Sequence, residues 1–286
     1  MLAENKIVHG LWIGRRLSLV ELLCMRSFLA QGHEFHLWTY ESLDTEIPPD
    51  VILEDASRII PEQQVFVYKH RNQFGHGKGS YAGFSDIFRY NLLSIHGGWW
   101  TDMDVVCLSP LDFKDAYVFR THHDFPVVGN IMKCPAGTPL MARCYEKASA
   151  VVNADNSDWN LPIKILNDEI TAAGLQLYIR EFSNQDSWRY IRNLLYRNPR
   201  LPGHWKVLHL VNEEWRRNKI NKNAVPRFSY IGGKIAHYGI SVDSSRAEVL
   251  KNLFRILFPR STIIQMYWVF ARIFWKAVRL VKKERP

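Results

Sequence analysis

The N-terminal segment constrains the fold more than any other part of the chain. Lys6–Trp12 is an apolar run that predicts a central strand, closed by Gly14. Leu17–Ala30 then places apolar residues at helical spacing, with Gly32 as a C-cap, and Glu34–Tyr40 is strand-like again. A strand, a helix and a second strand in this order favour an α/β sheet with a crossover connection.

The rest of the chain alternates between helical and strand-like segments. Helices are predicted over Val51–Ile60, Tyr81–His96, Thr138–Val151, Leu161–Gly174 and Gln185–Tyr196. Short strands are predicted at Val65–Tyr68, Ala116–Arg120, Pro126–Met132, Lys206–Leu210 and Phe228–Tyr230. Gly232 and Gly233 are interpreted as a turn into a late apolar segment, Lys234–Tyr238, whose His237 is by itself more typical of a core histidine than of a ligand.

Two aspartates lie in an apolar, β-favouring stretch that follows the helix predicted over Tyr81–His96. The helix is expected to end at Gly97 and Gly98, and the chain then runs through two tryptophans to Asp102 and Asp104. In an extended chain, side chains two positions apart point to the same side, so both carboxylates are expected to face one place. Carboxylates together with substrate phosphates are the usual ligands of Mg²⁺ or Mn²⁺. A solvated turn with two acids is the alternative for so short a motif.

Other polar groups near this stretch have two interpretations each. Asp86 and Arg89 are three positions apart on the predicted helix and share a face, so they either edge the same site or form a surface ion pair worth under ~1 kcal/mol. The loop residues His122 and His123 are either polar surface or contacts to an acceptor. The glycine-rich segment 75–80 lacks the spacing of a Walker phosphate loop and is predicted to be a flexible loop before a helix.

The positive charge is concentrated at the C-terminus. The formal net charge is +9, of which residues 246–286 contribute +8 through ten Lys or Arg and two Glu. Residues 1–245 are therefore nearly neutral, which excludes a general nucleic-acid-binding body. This change in net charge along the chain predicts a main domain over residues 1–245 and a basic tail over residues 246–286.

The tail contains an amphipathic pattern over Ser261–Lys283. One face of the predicted helix carries Arg272, Lys276, Arg279 and Lys283, and the opposite face carries aromatic and aliphatic side chains. Charges interrupt the segment too often for a bilayer span, but the pattern is typical of a helix that lies on an anionic membrane surface. Packing of this helix on the domain, with a solvated basic face, is the alternative.

Cysteine usage and the N-terminus indicate the compartment. The four cysteines have neither paired spacing nor a histidine at zinc-finger distance, and they are predicted to be buried thiols in a reducing environment. The N-terminus shows no basic-then-apolar signal region. With the basic tail, this predicts a cytoplasmic protein that is peripheral on the inner face of the cell membrane.

Two segments resemble glycosyltransferases of the family 32 type, which carry the DXD sugar-binding region. The first is Lys6–Gly14, and the second, Phe84–Val105, contains Ser-Asp-x-x-Arg followed by Gly-Gly-x-x-x-Asp-x-Asp. The family includes yeast mannosyltransferases and bacterial capsule and lipopolysaccharide enzymes. The likeness is close over residues 6–110 and continues more weakly to about residue 245.

The resemblance implies a GT-A fold, which is one α/β domain with a mainly parallel sheet. It implies transfer of a sugar, with retention of anomeric configuration, from a nucleotide-sugar donor, expected to be a UDP-sugar, to a glycan or lipid-linked acceptor. The expected pathway is capsule, O-antigen or lipopolysaccharide synthesis, and the expected cofactor is Mn²⁺ or Mg²⁺. A non-catalytic membrane-surface protein that binds a glycan or nucleotide on a degenerate scaffold of this kind is the alternative.

The resemblance also assigns roles to seven residues of the sequence. The residues implied to bind the donor are Trp12, Asp86, Arg89, Asp102 and Asn130, and those implied to bind the metal are Asp104, Asp102 and His237. Asp104 and Arg89 carry the catalytic role, since a leaving nucleoside diphosphate needs its developing charge neutralised. The segment Asn160-Leu161-Pro162 departs from the Thr-Gly-Pro of the family, so the donor contacts expected there do not carry over.

Overall fold

The computed structural model describes residues 1–241 and 244–258. The strands are β1 Ile7–Trp12, β2 Glu34–Thr39, β3 Ile52–Asp55, β4 Gly98–Thr101, β5 Val105–Cys107, β6 Val118–Arg120, β7 Val128–Cys134, β8 Ile179–Arg180 and β9 Val207–His209. The α-helices are α1 Leu19–Ala30, α2 Ala82–His96, α3 Pro139–Val151, α4 Leu161–Ala172, α5 Trp188–Leu194, α6 Asn212–Arg217, α7 Tyr230–His237 and α8 Arg246–Leu257.

The central sheet has seven strands in the order β3-β2-β1-β4-β7-β6-β8. β7 is antiparallel to both of its neighbours, and the other four pairings are parallel. β5 and β9 form a separate antiparallel pair. The predicted α/β class with a mainly parallel central sheet is confirmed, and the one reversed strand lies inside the sheet.

Helices cover both faces of the sheet. Trp99 and Trp100 are both buried, and because successive side chains of a strand point to opposite faces, they enter different cores. Trp99 packs in a cluster with Met25 and Phe28 of α1, whereas Trp100 packs in a cluster with Phe88 of α2. The apolar run before the aspartates therefore anchors β4 between two helical layers.

Local signals in the sequence form the ends of the first two long helices. Ser18 caps α1 in a capping box with Glu21, whose carboxylate accepts from the Ser18 backbone nitrogen at 2.7 Å. α2 ends where Gly97 adopts φ +63°, and a Cβ at that position would lie 2.3 Å from the backbone nitrogen of Ala136. Both the backbone conformation and this close approach require glycine, which confirms the predicted helix stop.

Two of the predicted elements before α2 are wrong. The helix predicted over Val51–Ile60 is strand β3 followed by a 3₁₀ turn, Ala56–Arg58, because parallel pairing with β2 along this edge overrides the local helical spacing. The strand predicted at Val65–Tyr68 is irregular chain.

The late segment is also different from the prediction. The strand at Phe228–Tyr230, the glycine turn and the apolar run after it are replaced by α7, which Ser229 caps by accepting from the Gly232 nitrogen at 3.1 Å. Gly232 is needed for close packing, since a Cβ there would lie 2.0 Å from the Pro226 carbonyl oxygen. A glycine pair that looks like a turn in the sequence is thus a contact point inside a helix.

The first part of the basic tail packs on the domain. Asn252 of α8 is buried and donates from Nδ2 to the carbonyl oxygens of Ala224 and Asn221 at 2.8 and 2.9 Å, and Ile256 enters the core beside it. The amphipathic segment predicted over Ser261–Lys283 lies outside the described residues. Within residues 1–241 and 244–258, no helix is both long and apolar enough to cross a membrane. All four cysteines are buried and unpaired, as predicted.

Candidate active site

A cavity of about 860 Å³ opens beyond the carboxyl ends of β1 and β4. These two strands are neighbours, but the chain continues from β1 to β2 on one side and places β4 on the other. Such a switch point is where open α/β sheets bind ligands, because the loops diverge there and leave a crevice. Six predicted site residues line this cavity, namely Trp12, Asp86, Arg89, Asp102, Asp104 and Asn130.

Arg89 of α2 is a buried positive charge at the centre of one wall. Its Nη2 lies 3.1 Å from Oδ1 of Asp86 and 3.1 Å from Oδ1 of Asp102. The guanidinium lies over the ring of Trp100, 5.3 Å from the centroid, and the indole nitrogen of Trp100 donates to Asp102 at 2.9 Å. Only 5% of Arg89 is exposed, so the alternative of a surface ion pair is excluded.

Burial weakens the charged form of the carboxylates beside Arg89. It raises the pKa of Asp86 to about 6, against the opposing effect of Arg89. Burial likewise raises the pKa of Asp102, and the charge of Asp104 adds to this. Burial lowers the pKa of Arg89, but Asp102 and Asp86 outweigh it and raise it overall, so the guanidinium stays charged. This wall therefore carries a fixed positive charge at Arg89. The two carboxylates beside it are protonated more readily than ordinary aspartates.

Asp104 has a separate set of partners. Its Oδ2 accepts from the backbone nitrogen of Asn212 at 2.6 Å and lies 3.3 Å from Nε2 of His209. The expectation that Asp102 and Asp104 share one extended strand is wrong, because residues 102–104 form the connection between β4 and β5. The two carboxylates line one cavity but bind different neighbours.

His209 links Asp104 to Asp186. The Nδ1 atom of His209 lies 2.8 Å from Oδ1 of Asp186, on the opposite side of the ring from Asp104. Burial lowers the pKa of His209, but the carboxylates of Asp186 and Asp104 outweigh it and raise the pKa to about 10. Burial opposes the charged form of Asp104 as well, yet His209 lowers the pKa of that carboxyl. The imidazole is therefore a cation between two carboxylates.

A second buried cation completes this network. Arg120, at the end of β6, is 1% exposed and binds Asp186 through both guanidinium ends, at 2.6 and 3.1 Å. It also donates to Oδ1 of Asn130 at 3.1 Å. The Nδ2 atom of Asn130 and the indole nitrogen of Trp12 are buried without a hydrogen-bond partner among the described residues. Buried donors of this kind are normally paired, so both are available to a ligand in the cavity.

Three residues of the site were not predicted from the sequence: Asp186, His209 and Arg120. His209 lies in the predicted strand Lys206–Leu210, and its importance becomes visible only when β9 pairs with β5 and sets His209 opposite Val105. His237, the histidine expected to bind metal, is exposed on α7 and is not among the cavity residues. The structure does not bring it to Asp104, and His209 lies there instead.

Two loops complete the mouth of the cavity. The loop 121–127, between β6 and β7, carries His122, His123 and Asp124, whose side-chain ligand atoms lie within 4.8 Å of one another. His122 Nε2 is 3.4 Å from Oδ2 of Asp186. The segment 75–80 is the loop before α2 that the sequence predicted, and part of it also lines the cavity.

Asp104 and His209 form a donor set that fits a divalent cation. Carboxylate oxygen and imidazole nitrogen are both common ligands of first-row divalent ions. Asp186 accepts at Nδ1 of His209 and so directs Nε2 toward Asp104, which is the usual way in which a carboxylate orients a metal-binding histidine. Asp102 is different, since its Oδ1 is occupied by Arg89 and Trp100.

Comparison with known proteins gives one partial sequence match. A family model described as "Capsular polysaccharide synthesis protein" matches residues 65–126. The matched stretch includes Asp86, Arg89, Asp102 and Asp104, but it is much shorter than half of the chain and does not by itself establish family membership. No curated protein matches the sequence significantly.

The similar solved structures include three with low sequence identity to this chain. They are the PaToxG glycosyltransferase (13% identity, TM-score 0.41, covering 59% of this chain and 68% of that one), a transferase mutant with two cysteine-to-serine substitutions (11%, 0.38, 60% and 86%), and the apo-form glycosyltransferase GlyE of Streptococcus pneumoniae TIGR4 (12%, 0.45, 87% and 63%). All three TM-scores lie below 0.5, so these likenesses carry no conclusion about activity.

Proposed function

We propose that the chain is a metal-dependent glycosyltransferase, which moves a sugar from a nucleotide-sugar donor to a glycan or lipid-linked acceptor during capsule-type polysaccharide synthesis. The observation that carries this is the pairing, in one cavity, of a buried guanidinium at Arg89 with a metal-type donor set at Asp104 and His209. The match of residues 65–126 to the capsular polysaccharide synthesis model supports the pathway.

The chemistry requires stabilisation of a leaving group. The bond between the anomeric carbon and the diphosphate oxygen breaks, a bond to an acceptor hydroxyl oxygen forms, and the hydroxyl proton is released. Negative charge grows on the nucleoside diphosphate as it leaves. Arg89 is already charged and already fixed by Asp86 and Asp102, so it stabilises this charge without reorganising.

Asp104 and His209 would hold Mn²⁺ or Mg²⁺, with Asp186 orienting the imidazole. When bound, the ion supplies Lewis-acid neutralisation of the leaving diphosphate. His209 must give up its Nε2 proton for this role, so cation binding releases a proton. Transfer with retention, and a UDP-sugar as donor, remain the proposals that the family 32 resemblance supports.

The remaining cavity residues are assigned to the donor. Trp12 and Asn130 each have a buried N–H group without a partner among the described residues, and donor oxygens would satisfy both. We assign Trp12 to the nucleotide end. We assign Asn130 to the transferred sugar, because its backbone carbonyl oxygen accepts from the Asp102 backbone nitrogen at 2.8 Å and so ties it to the acidic motif. Asp86 and Asp102 hold Arg89 in place and face the same ligand.

A membrane-facing role of the tail is part of the proposal. On α8, Leu250, Phe254 and Leu257 are exposed at spacings of four and three and so form one apolar stripe. Lys251 and Arg255 are neighbours of the stripe on the same helix. An apolar stripe beside basic residues suits an anionic bilayer surface. Co-sedimentation with phosphatidylglycerol vesicles tests this, and equal binding of the wild type and the double variant Leu250→Glu, Phe254→Glu would contradict it.

A donor screen tests the enzymatic function. Purified protein is incubated with UDP- and GDP-sugars, with and without Mn²⁺, while free nucleotide is followed. We expect one donor to release nucleotide only with metal, and Asp104→Asn to abolish the release. Asp112→Asn is the matched control, because Asp112 is an exposed carboxylate paired with Lys206 outside the cavity.

Calorimetry with UDP, GDP and Mn²⁺ separates binding from turnover. Binding that depends on metal and on Asp104, without release from any donor, would favour the alternative of a non-catalytic nucleotide-binding protein on the same scaffold. Absence of both release and binding would refute the proposed function.

A further inference from the structure

The loop before α2 carries an aromatic ring that core packing does not explain. Phe74 lines the cavity, yet 55% of it is exposed. Ligand cavities are lined mainly by hydrophobic and aromatic side chains, which supply contact area for the ligand. Phe74 therefore marks one wall of the mouth as a contact surface.

The chain holds this exposed ring in place with a buried amide. Oδ1 of Asn72 accepts from the backbone nitrogens of Phe74 and His76 at 2.9 and 3.2 Å, and Asn72 also exchanges backbone contacts with His76 and Gly75 at 2.7 and 2.9 Å. Asn72 is 9% exposed. A surface that is organised before binding loses less entropy when a ligand arrives.

A second aromatic layer supports Phe74 from behind. The ring of His76 stacks on Phe74 with an interplanar angle of 20°, and Trp159 meets His76 edge-on with centroids 5.6 Å apart. Gly77 adopts φ +92°, and a Cβ there would lie 2.8 Å from the Trp159 ring. The three rings form a cluster that we name the rim stack (Phe74, His76, Trp159).

The rim stack is joined to the reaction centre through α6. The Gly77 nitrogen donates to Oε1 of Glu213 at 3.3 Å, and Nη1 of Arg216 donates to the Lys78 carbonyl oxygen at 2.8 Å. Glu213 directly follows Asn212, whose nitrogen holds Asp104. The loop thus contacts α6 next to the residue that holds Asp104.

We propose that the rim stack is the acceptor subsite, where one face of a pyranose ring lies against Phe74. A pyranose presents C–H groups on its faces and hydroxyls around its edge. A flat aromatic ring suits the face, and polar cavity residues such as Glu214 and Arg216 suit the edge. An acceptor glycan enters from solvent and must cross this exposed mouth. The assignment of the bound saccharide as the acceptor rests on the proposed function, whereas a saccharide site at Phe74 does not.

Saturation-transfer NMR tests the subsite directly. The probes are the methyl glycosides of glucose, galactose, mannose and N-acetylglucosamine at millimolar concentration, with and without UDP and Mn²⁺. We expect saturation on the ring C–H protons of one face for at least one glycoside. Phe74→Ala should weaken binding of that glycoside about five- to tenfold, whereas Phe74→Trp should retain it. Phe228→Ala is the control, because Phe228 is similarly exposed, at 62%, but lies outside the cavity.

The outcomes separate this inference from the proposed function. Equal saturation in the wild type and in Phe74→Ala, or no saturation from any glycoside, would overturn the acceptor subsite. UDP binding measured by calorimetry on the same samples should be unchanged in all three variants. If the wild type does not bind UDP, this result would count against the proposed function. A saccharide signal that depends on Phe74 would still support the subsite.

Discussion

The substitution Asp186→Asn removes one negative charge from the buried network behind the cavity and keeps the shape of the side chain. Arg120 then keeps its charge in a place where it is 1% exposed, and its remaining partners are the neutral Asn130, Ser183 and the Asn184 carbonyl oxygen. His209 also loses the carboxylate at its Nδ1 atom. The perturbation therefore leaves a buried cation without its counter-ion.

The expected cost follows from this burial. Removing one partner of a buried ion pair costs about 3–5 kcal/mol, because the other charge stays desolvated. Glu169 offers a matched control, since it is also buried and also accepts from two cations, Arg143 and Lys147. Those two side chains are 43% and 59% exposed, so water solvates them once the carboxylate is gone. Glu169→Gln should therefore cost only about 1 kcal/mol.

Urea unfolding followed by circular dichroism, in the presence of a chelator, measures both variants. With a denaturant slope of about 3 kcal/mol per molar, Asp186→Asn should lower the midpoint by roughly 1 to 1.7 M and Glu169→Gln by roughly 0.3 M. If Asp186→Asn costs less than about 1 kcal/mol, or no more than Glu169→Gln does, the buried charge of Arg120 carries no penalty and the prediction is wrong.

Three other changes test single contacts. In Gly129→Ala the new Cβ would lie 2.4 Å from Arg89 Nη1, so we expect UDP affinity in calorimetry to fall about tenfold with little change in the urea midpoint. In Gly97→Ala the new side chain meets both a φ of +63° and a backbone atom at 2.3 Å, so the unfolding free energy measured in urea should fall by more than about 2 kcal/mol. Gly32 has a φ of +83° but no atom within 4 Å, so Gly32→Ala should cost only about 1 kcal/mol. The hydrogen bond that Lys147 donates to Glu169 lowers the pKa of this carboxyl below its ordinary value of 4.5. The folded state therefore holds this proton less tightly than the unfolded state, and the stability that Glu169 confers is lost as the pH falls below that value. The difference in unfolding free energy between wild type and Glu169→Gln should shrink between about pH 6 and about pH 3.

The cavity shows how far short-range patterns reach. Asp86 and Arg89 are one helical turn apart, and Asp102 and Asp104 follow the end of the same helix, so their proximity is a local property of the chain. The helix stop at Gly97 and the cap at Ser18 are local as well. These features were predictable from the sequence because each depends on backbone geometry within a few residues.

The partners of Asp104 are of another kind. Asn212 is 108 positions away in the chain, and His209 reaches Asp104 only because β9 pairs with β5. The histidine selected from the sequence, His237, has a plausible local context but lies on an exposed helical face. Strand register, unlike helical spacing, depends on contacts between distant segments, and a single sequence does not fix it.

Local sequence patterns are enough to predict the α/β class, the first crossover, the helix that ends at two glycines, and the acidic motif with its arginine. Which groups neutralise which charges depends instead on the tertiary structure. It brought Asp186, Arg120 and His209 together from three different segments and turned a glycine pair into a helix contact. Helical spacing and capping depend on residues within one helical turn of each other in the chain. The pKa values and the partners of buried charges depend on groups that the fold brings together from distant segments.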